Sequence, residues 1–255
     1  MERAGEHPVP AGPLAVRWLA FELPRFRAGA YHDCRVALAN AGSAGWTGVK
    51  LAYHWLDDRG NPIVWDGWRS ELPASSPGSE LDVQASVQAP LPPGRYRLAF
   101  DLVLEGRYWL SEVGNAQLEA DVAVEPRIGR ALAVKGAIVE NQAEALVTLE
   151  EAEAVAHLAP GCEPAPDWSA RVLDAHQEGY AVVGGSLDAG RSPELAPWRE
   201  TAGRNPSFPH PLVCPSLVVD ARGRFVDNVA GLPAFEPEKV EPSIFDGRIR
   251  IKIRR

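Results

Sequence analysis

Cysteine is scarce in this chain of 255 residues, which contains only Cys34, Cys162 and Cys214. The three lie far apart, and no Cys/Cys or Cys/His ligand spacing occurs, so we expect neither a disulfide scaffold nor a metal site. Reduced thiols are typical of the cytoplasm. The segment Met1–Pro8 also lacks the basic start and apolar core of a signal peptide. We therefore expect a cytoplasmic protein.

Long apolar runs and an excess of positive charge are also missing. No run approaches the roughly 20 apolar residues of a membrane-spanning helix, so we expect no transmembrane segment. The net charge of -8 argues against a nucleic-acid partner, because such proteins usually carry a basic excess. With 45% hydrophobic and 24% charged residues the composition is that of a folded protein. The length suits two domains or one large one.

The chain changes character along its length. Residues 1–13 are rich in proline and glycine and predict a flexible leader. From 14 to 126 the pattern is that of strands, and we expect a domain boundary near Glu125 and Pro126. Residues 127–255 predict a second, less regular domain.

Alternation of apolar and polar residues is the main signal in the first half. It recurs in five runs, at 34–39, 49–56, 81–88, 95–104 and 117–124. A period of two with one apolar face is typical of half-buried strands. Turn sequences separate the runs, and Gly60-Asn61 suits the positive φ of a hairpin turn. About seven short strands without a helical pattern indicate an antiparallel β-sandwich.

Two motifs then suggest a family resemblance. The stretch Pro93–Leu98 resembles a strand entry of immunoglobulin-like and fibronectin-like domains, in which a tyrosine packs inward, and Trp55 sits where such sandwiches bury a tryptophan. The stretches Tyr53–Asp57 and Val64–Arg69 resemble accessory sandwich modules that accompany bacterial glycosyltransferases and polysaccharide-export proteins. The resemblance covers under half of the chain. It implies an immunoglobulin-like fold and a link to cell-envelope polysaccharide.

Tryptophan is abundant in this first half, at positions 18, 46, 55, 65, 68 and 109. Indole faces stack on the apolar C–H face of a sugar ring, and carboxylates or guanidinium groups bind its hydroxyls. Trp65 and Trp68 lie beside a hairpin exit, with Asp66 and Arg69 next to them, and these four residues form the predicted carbohydrate-binding site. The alternative is that the tryptophans fill the core, since tryptophan is mostly buried in proteins; we assign Trp55 to the core.

The second half gives weaker signals. Residues 149–158 are rich in helix formers, with Thr148 and Glu151 as a capping box, and predict a helix. Strands are expected at 170–173, 180–183, 217–219 and 249–253, the last as a closing edge strand guarded by basic residues. A proline-rich tract over 186–215 predicts a long loop. Together the two halves predict a mainly β chain: an immunoglobulin-like antiparallel β-sandwich followed by a small, loop-rich α+β domain.

The sequence of the second half does not decide which binding or catalytic chemistry it carries. Arg204, Asn205 and His210 stand in the proline-rich tract as a possible second site. A Cys214–His210–Asp220 arrangement could serve nucleophilic catalysis, but a cysteine and a histidine four residues apart are rarely catalytic partners. Asp174 and His176 could face one side of a strand as an acid/base pair, which would need a pocket, and we assign no catalytic residue.

Two other motifs are better explained as turns. The sequence Gly184-Gly185-Ser186 fits no phosphate-binding motif and predicts a simple turn. The cluster Asp57, Asp58 and Asn61 lacks the ligand spacing of a calcium loop and also predicts a turn.

Three functions are compatible with the sequence. The first is a non-catalytic carbohydrate-binding or accessory protein of bacterial cell-envelope polysaccharide assembly, without a cofactor, whose partner is a glycan or a glycan-assembly protein. The second is an enzyme related to or partnering a glycosyltransferase, with its site in the second half. The third is a protein–protein interaction module. The sequence leaves the oligomeric state open.

Overall fold

The computed structural model describes residues 1–135, 138–158, 162–188, 216–220 and 241–253. The chain divides into two compact units. Unit 1 comprises Met1–Phe26, Tyr31–Pro90 and Gly94–Glu125, and unit 2 comprises Arg27–Ala30, Leu91–Pro93 and the chain from Pro126. The expectation of a mainly β protein is confirmed: the described elements are strands in antiparallel and mixed sheets, with few helices.

Unit 1 contains two antiparallel sheets. The four-stranded sheet has the order β1-β2-β4-β8, and the larger sheet has the order β3-β11-β9-β5-β6, with β7 beside β5 and β10 beside β9. The strand bounds are β1 Glu2–Arg3, β2 Val16–Glu22, β3 Phe26–Arg27, β4 Tyr31–Asn40, β5 Val49–Leu56, β6 Pro62–Val64, β7 Ser70–Glu71, β8 Glu80–Gln88, β9 Gly94–Leu104, β10 Tyr108–Trp109 and β11 Leu118–Glu125. A short 3₁₀ helix, Leu110–Val113, follows β10.

Alternation of side chains explains why these segments are strands. All five alternating runs coincide with strands, namely β4, β5, β8, β9 and β11, except that Gln117 precedes β11. The core side of β9 carries Leu98, Phe100 and Leu102, all fully buried. The two sheets contact one another through β5 and β8, because the Tyr53 hydroxyl accepts a hydrogen bond from the Gln88 N–H at 2.9 Å and Trp55 Nε1 donates to the Gln88 carbonyl at 2.9 Å.

The predicted hairpin turn after β5 is confirmed. Gly60 has a φ of 83°, which a residue with a side chain rarely adopts. Asp57 accepts hydrogen bonds from the Arg59 N–H and from the backbone and side-chain N–H groups of Asn61, at 2.7–2.9 Å. These bonds lower the pKa of Asp57, the side-chain bond from Asn61 being the main cause. The cluster therefore has the geometry of a turn, as expected.

Within the predicted leader, Glu2 and Arg3 pair with Phe21 and Ala20 at the edge of the smaller sheet. Cys34 is a free thiol buried on β4. Burial first and the nearby Asp33 charge second raise its pKa to about 12. None of the described helices is long and apolar enough to cross a membrane.

Unit 2 contains a mixed sheet and one α-helix. The sheet order is β12-β13-β16-β15-β17-β14, with parallel pairs β12/β13 and β15/β17. The bounds are β12 Leu132–Lys135, β13 Ala154–Leu158, β14 Cys162–Pro164, α1 Trp168–Glu178, β15 Val182–Asp188, β16 Ser216–Asp220 and β17 Ser243–Ile253. The core joins Leu132, Ala156 and Ile249 of the sheet to Trp168 and Leu173 of α1.

The predicted helix over 149–158 is wrong. One bond of the expected capping box forms, from the Thr148 N–H to Glu151 Oε2 at 3.2 Å, but the Thr148 hydroxyl donates to the same oxygen at 2.9 Å and the Glu151 N–H donates to the Thr148 carbonyl. The chain then continues as a turn and enters β13, where Ala154, Ala156 and Leu158 are buried in alternation. Pairing with strands on both sides of β13 outweighs the helix propensity of a segment rich in alanine and glutamate.

The predicted strand over 170–173 is also wrong, because these residues lie in α1. Trp168, Val172, Leu173, Ala175 and His176 are buried, a spacing close to the helical period. Asp174 and His176 therefore do not face one side of a strand. Asp174 Oδ1 accepts a hydrogen bond from Arg130 at 2.7 Å, whereas buried His176 bonds the Tyr180 carbonyl through Nδ1 at 2.8 Å.

The predicted turn at Gly184-Gly185-Ser186 is wrong as well, since all three residues belong to β15. The register against β17 shifts between Gly185 and Ser186, which is a bulge. A Cβ on Gly185 would lie 2.3 Å from the Ile249 carbonyl oxygen, so only glycine fits this close approach. The remaining predicted strands overlap β15, β16 and β17. The prediction that 249–253 form an edge strand is wrong, because β17 lies between β15 and β14 and pairs with both.

The proline-rich tract from 189 to 215, with Arg204, Asn205, His210 and Cys214, lies outside the described residues.

Candidate functional site

The six tryptophans of unit 1 fall into two groups. Trp18, Trp46 and Trp55 are buried in the core, as the alternative reading expects. Trp65 and Trp68 are exposed, with 46% and 39% of their surface accessible, and Trp109 is half-buried. An exposed indole leaves apolar surface in water. The segment that carries Trp65 and Trp68 is therefore the candidate binding site of unit 1.

Gly67 fixes the segment that carries these tryptophans, Trp65–Arg69, to the large sheet. Its N–H donates to the Tyr53 carbonyl of β5 at 3.1 Å. A Cβ at this position would lie 2.4 Å from that carbonyl oxygen and 2.7 Å from the Tyr53 ring. Because Gly67 has no side chain, the segment can lie close beside β5. This position holds Trp65 over the outer face of the sheet.

Trp65 stacks on a buried histidine of β5. Its ring lies 4.0 Å from the ring of His54 with an interplanar angle of 17°. His54 Nδ1 also donates a hydrogen bond to the Trp65 carbonyl, which can only accept. Trp109 packs against the same histidine at 4.4 Å and lies 6.2 Å from Trp65 at 67°. The indole of Trp65 is thus held by ring contacts, while 46% of the residue surface remains accessible to solvent.

A buried carboxylate lies beneath this stack. His54 Nε2 is 3.8 Å from Asp101 Oδ2 of β9, and both side chains are fully buried. Asp101 is held in place because it accepts hydrogen bonds from the Leu102 N–H at 2.7 Å and from Gln117 Nε2 at 3.1 Å. The arrangement is an ion pair whenever the imidazole is protonated.

Arg69 lies beside the packed rings of His54, Trp65 and Trp109. Its guanidinium carbon lies 4.8 Å from the centroid of Trp109, a cation–π contact. It also pairs with Asp66 and with Glu105, the latter at 2.7 Å. Burial opposes its charge, but the hydrogen bonds to Glu105 and Asp66 are sufficient to raise the pKa of Arg69. We call His54, Trp65, Arg69, Asp101 and Trp109 the Trp65 cluster.

The structure brings together three of the four predicted site residues. Trp65, Asp66 and Arg69 lie around the Trp65 cluster, whereas Trp68 packs edge-on against Tyr31 at 6.2 Å. The two exposed tryptophans thus have different ring partners.

Sequence reasoning missed His54, Asp101 and Trp109. His54 and Asp101 occupy polar positions of alternating strands, and that pattern predicts exposure to solvent. The available signal was the abundance of aromatic residues near them.

A cavity of about 450 Å³ lies further along the large sheet. Its lining comes from β9, β11 and the turn after β5, and comprises Asp57, Asp58, Arg95, Tyr96, Arg97, Asp121, Val122 and Ala123. Arg97 bridges to Glu119 and Asp121 across the sheet at 3.5 and 3.3 Å. This volume lies in the range of small-ligand sites. Within the described ranges, no group of three or more His, Cys, Asp or Glu side chains is placed to hold a metal ion.

Comparisons with known proteins give structural likeness only. No protein-family model matches the chain, and no curated protein matches it. Among solved structures, the C-terminal domain of Wzt aligns with 49% of this chain and 84% of its own, at 14% identity and a TM-score of 0.35. A family 123 glycoside hydrolase from Clostridium perfringens aligns with 43% of this chain and 24% of its own, at 9% identity and a TM-score of 0.26.

Proposed function

We propose that this chain is a non-catalytic carbohydrate-binding or accessory protein of bacterial cell-envelope polysaccharide assembly, and that it binds glycan at the Trp65 cluster. The observation that carries the proposal is the exposed indole of Trp65, held flat by the ring of His54. A fixed indole loses little freedom on binding, so stacking of a sugar ring on its accessible surface is not offset by the cost of ordering a side chain.

The polar groups beside the indole suit the same ligand. Asp66 and Glu105 accept hydrogen bonds and Arg69 donates them, and all three reach the rim of the Trp65 cluster. Because Arg69 is held by both carboxylates, these groups present a fixed set of donors and acceptors to sugar hydroxyls. Trp68, on the Tyr31 side of the segment, would contact a glycan that extends past Gly67.

The fold we propose for residues 14–126 is an immunoglobulin-like sandwich. Its support is the strand order, in which β2-β4-β8 and β11-β9-β5 correspond to strands A-B-E and G-F-C of that fold. Buried Trp55 on the third of these strands adds to it. We propose that residues 127–255 form the accompanying α+β domain. The reduced, buried thiol of Cys34 suits a cytoplasmic location.

The test is titration of the whole chain with a panel of bacterial polysaccharides, followed by tryptophan fluorescence and calorimetry. We expect saturable binding that Trp65→Ala weakens at least about tenfold, equivalent to about 1.4 kcal/mol, which is within the range of an aromatic contact. Trp65→Phe keeps a ring for stacking and should lose less.

The matched control is Ile63→Ala. Ile63 lies on β6 and is 45% exposed, nearly the same as Trp65, but has no ring to offer a sugar. Its replacement should leave the affinity unchanged. Equal affinity of the Trp65→Ala and parent proteins would refute the proposed site.

A further inference from the structure

On the outer face of the large sheet, paired residues of neighbouring strands lie side by side. His54 lies opposite Ala99, and Leu56 opposite Arg97. On the other side of β9, Asp121 lies opposite Arg97 and Ala123 opposite Arg95. Side chains two residues apart on a strand share a face. Arg95, Arg97, Ala99 and Asp101 therefore project from the same face of the sheet as His54, on which Trp65 stacks.

The 450 Å³ cavity lies at the end of the large sheet where β9 begins, and its lining comes partly from this face, with Tyr96 and Val122 alternating with the outward residues. Arg95, Arg97 and Asp121 line it, and none of its lining residues belongs to the smaller sheet. Arg95 is four residues from Ala99, the neighbour of His54, which at about 3.3 Å per residue is about 13 Å along the strand. A single sugar ring cannot cover that span, whereas a short oligosaccharide can.

The charges on this face indicate which kind of glycan it binds. Arg97 is engaged by Glu119 and Asp121, and the turn after β5 uses the carboxylate of Asp57. Among the described residues, Arg95 and Asp58 make no ion pair, so one donor and one acceptor face the cavity. Around the cavity and the Trp65 cluster, the charges of accessible side chains are nearly balanced: the carboxylates of Asp57, Asp58, Asp66, Glu105, Glu119 and Asp121 lie near the cations Lys50, Arg59, Arg69, Arg95 and Arg97.

We infer that this face binds an uncharged oligosaccharide of several rings, laid along β9 from Trp65 to the cavity at Arg95. The inference rests on the proposed function and specifies its ligand. Sugar hydroxyls both donate and accept hydrogen bonds, so they match the mixed lining of guanidinium and carboxylate groups. A lining of nearly balanced charge offers no net attraction to an acidic polysaccharide or a sugar nucleotide, which we therefore expect to bind more weakly than a neutral glycan.

The experiment measures affinity for neutral manno-, gluco- and galacto-oligosaccharides from monosaccharide to hexasaccharide, with alginate and hyaluronan fragments of equal length as anionic probes. Affinity for one neutral series should rise with chain length and change little with salt, because salt screens only charged contacts. Arg95→Ala should weaken hexasaccharide binding about tenfold, the effect of losing a hydrogen bond to a charged group. It should leave monosaccharide binding unchanged.

Arg17→Ala is the matched control, because it removes the same charge from an exposed position on the smaller sheet. Equal affinity for monosaccharide and hexasaccharide, tighter binding of the anionic fragments, or normal hexasaccharide binding by Arg95→Ala would each overturn the inference while leaving Trp65-dependent binding intact. Failure of every probe to bind, or binding that is insensitive to Trp65→Ala, would refute the proposed function itself.

Discussion

Gly67 is the residue on which the placement of Trp65 depends. A methyl group there meets the Tyr53 carbonyl oxygen at 2.4 Å and the Tyr53 ring at 2.7 Å, so the segment from Trp65 to Arg69 must move off β5. We expect Gly67→Ala to lower the free energy of unfolding by about 1–3 kcal/mol, as overpacking does, and to reduce glycan affinity. Denaturant unfolding and the titration above measure the two effects.

Gly12→Ala is the control for that substitution, because a Cβ on Gly12 meets nothing within 4 Å. It should change neither stability nor affinity. A Gly67→Ala protein with the stability and affinity of the parent would show that the segment is not held by this close approach.

Single residues of the site were predictable in part. Trp65, Asp66 and Arg69 stood out because aromatic and charged residues alternate beside a hairpin exit. His54 and Asp101 did not, because alternation assigns them to the outward face of their strands. They do lie on that face, yet Trp65 and Trp109 cover it. This covering is a contact between residues distant in sequence, and no local pattern contains it.

The turn between β5 and β6 is stabilised by the charge of Asp57. Hydrogen bonds from Asn61 and Arg59 lower the pKa of this carboxyl below that of an ordinary aspartate. A lowered pKa stabilises the fold above the unfolded-state pKa, and that contribution is lost as pH falls through the lower, folded-state value. We expect Asp57→Asn to be less stable than the parent at neutral pH, and the difference to shrink below about pH 4.

Urea unfolding at neutral and at acidic pH measures this difference. Asp58→Asn makes the same change of charge within the same turn without removing the hydrogen bonds to Asp57, and should cost less stability at neutral pH. A difference between Asp57→Asn and the parent that is constant across the pH range would contradict the assignment.

In unit 1 the strands β4, β5, β8, β9 and β11 were predictable because apolar and polar residues alternate along each of them, although β5 and β9 are buried on both faces. The elements of unit 2 were harder to predict, because its sheet is mixed and covered by α1. The local propensity of its segments therefore differs from the structure they adopt. The stretch at 149–158 has helix-forming residues but is paired on both sides as β13. The buried positions of α1, Trp168, Val172, Leu173, Ala175 and His176, have helical spacing, but over only three turns this signal is weak.

At the scale of the whole molecule, all residues of the Trp65 cluster and the cavity belong to unit 1, whereas α1 and its core belong to unit 2. Leu173 is fully buried in that second core. Leu173→Ala should destabilise unit 2 by about 2–5 kcal/mol, the usual cost of a cavity. We expect faster amide hydrogen exchange in α1 and β13, unchanged exchange in β5 and β9, and unchanged glycan affinity.

Leu102→Ala is the reciprocal variant, since Leu102 is equally buried on β9 of unit 1. Its effect on hydrogen exchange should fall on β5 and β9 and spare α1, because a local cavity weakens first the contacts that line it. Exchange that accelerates in both units with either variant would show that they unfold as one cooperative body. Glycan binding at the Trp65 cluster would then depend on the core of unit 2 as well as on the large sheet.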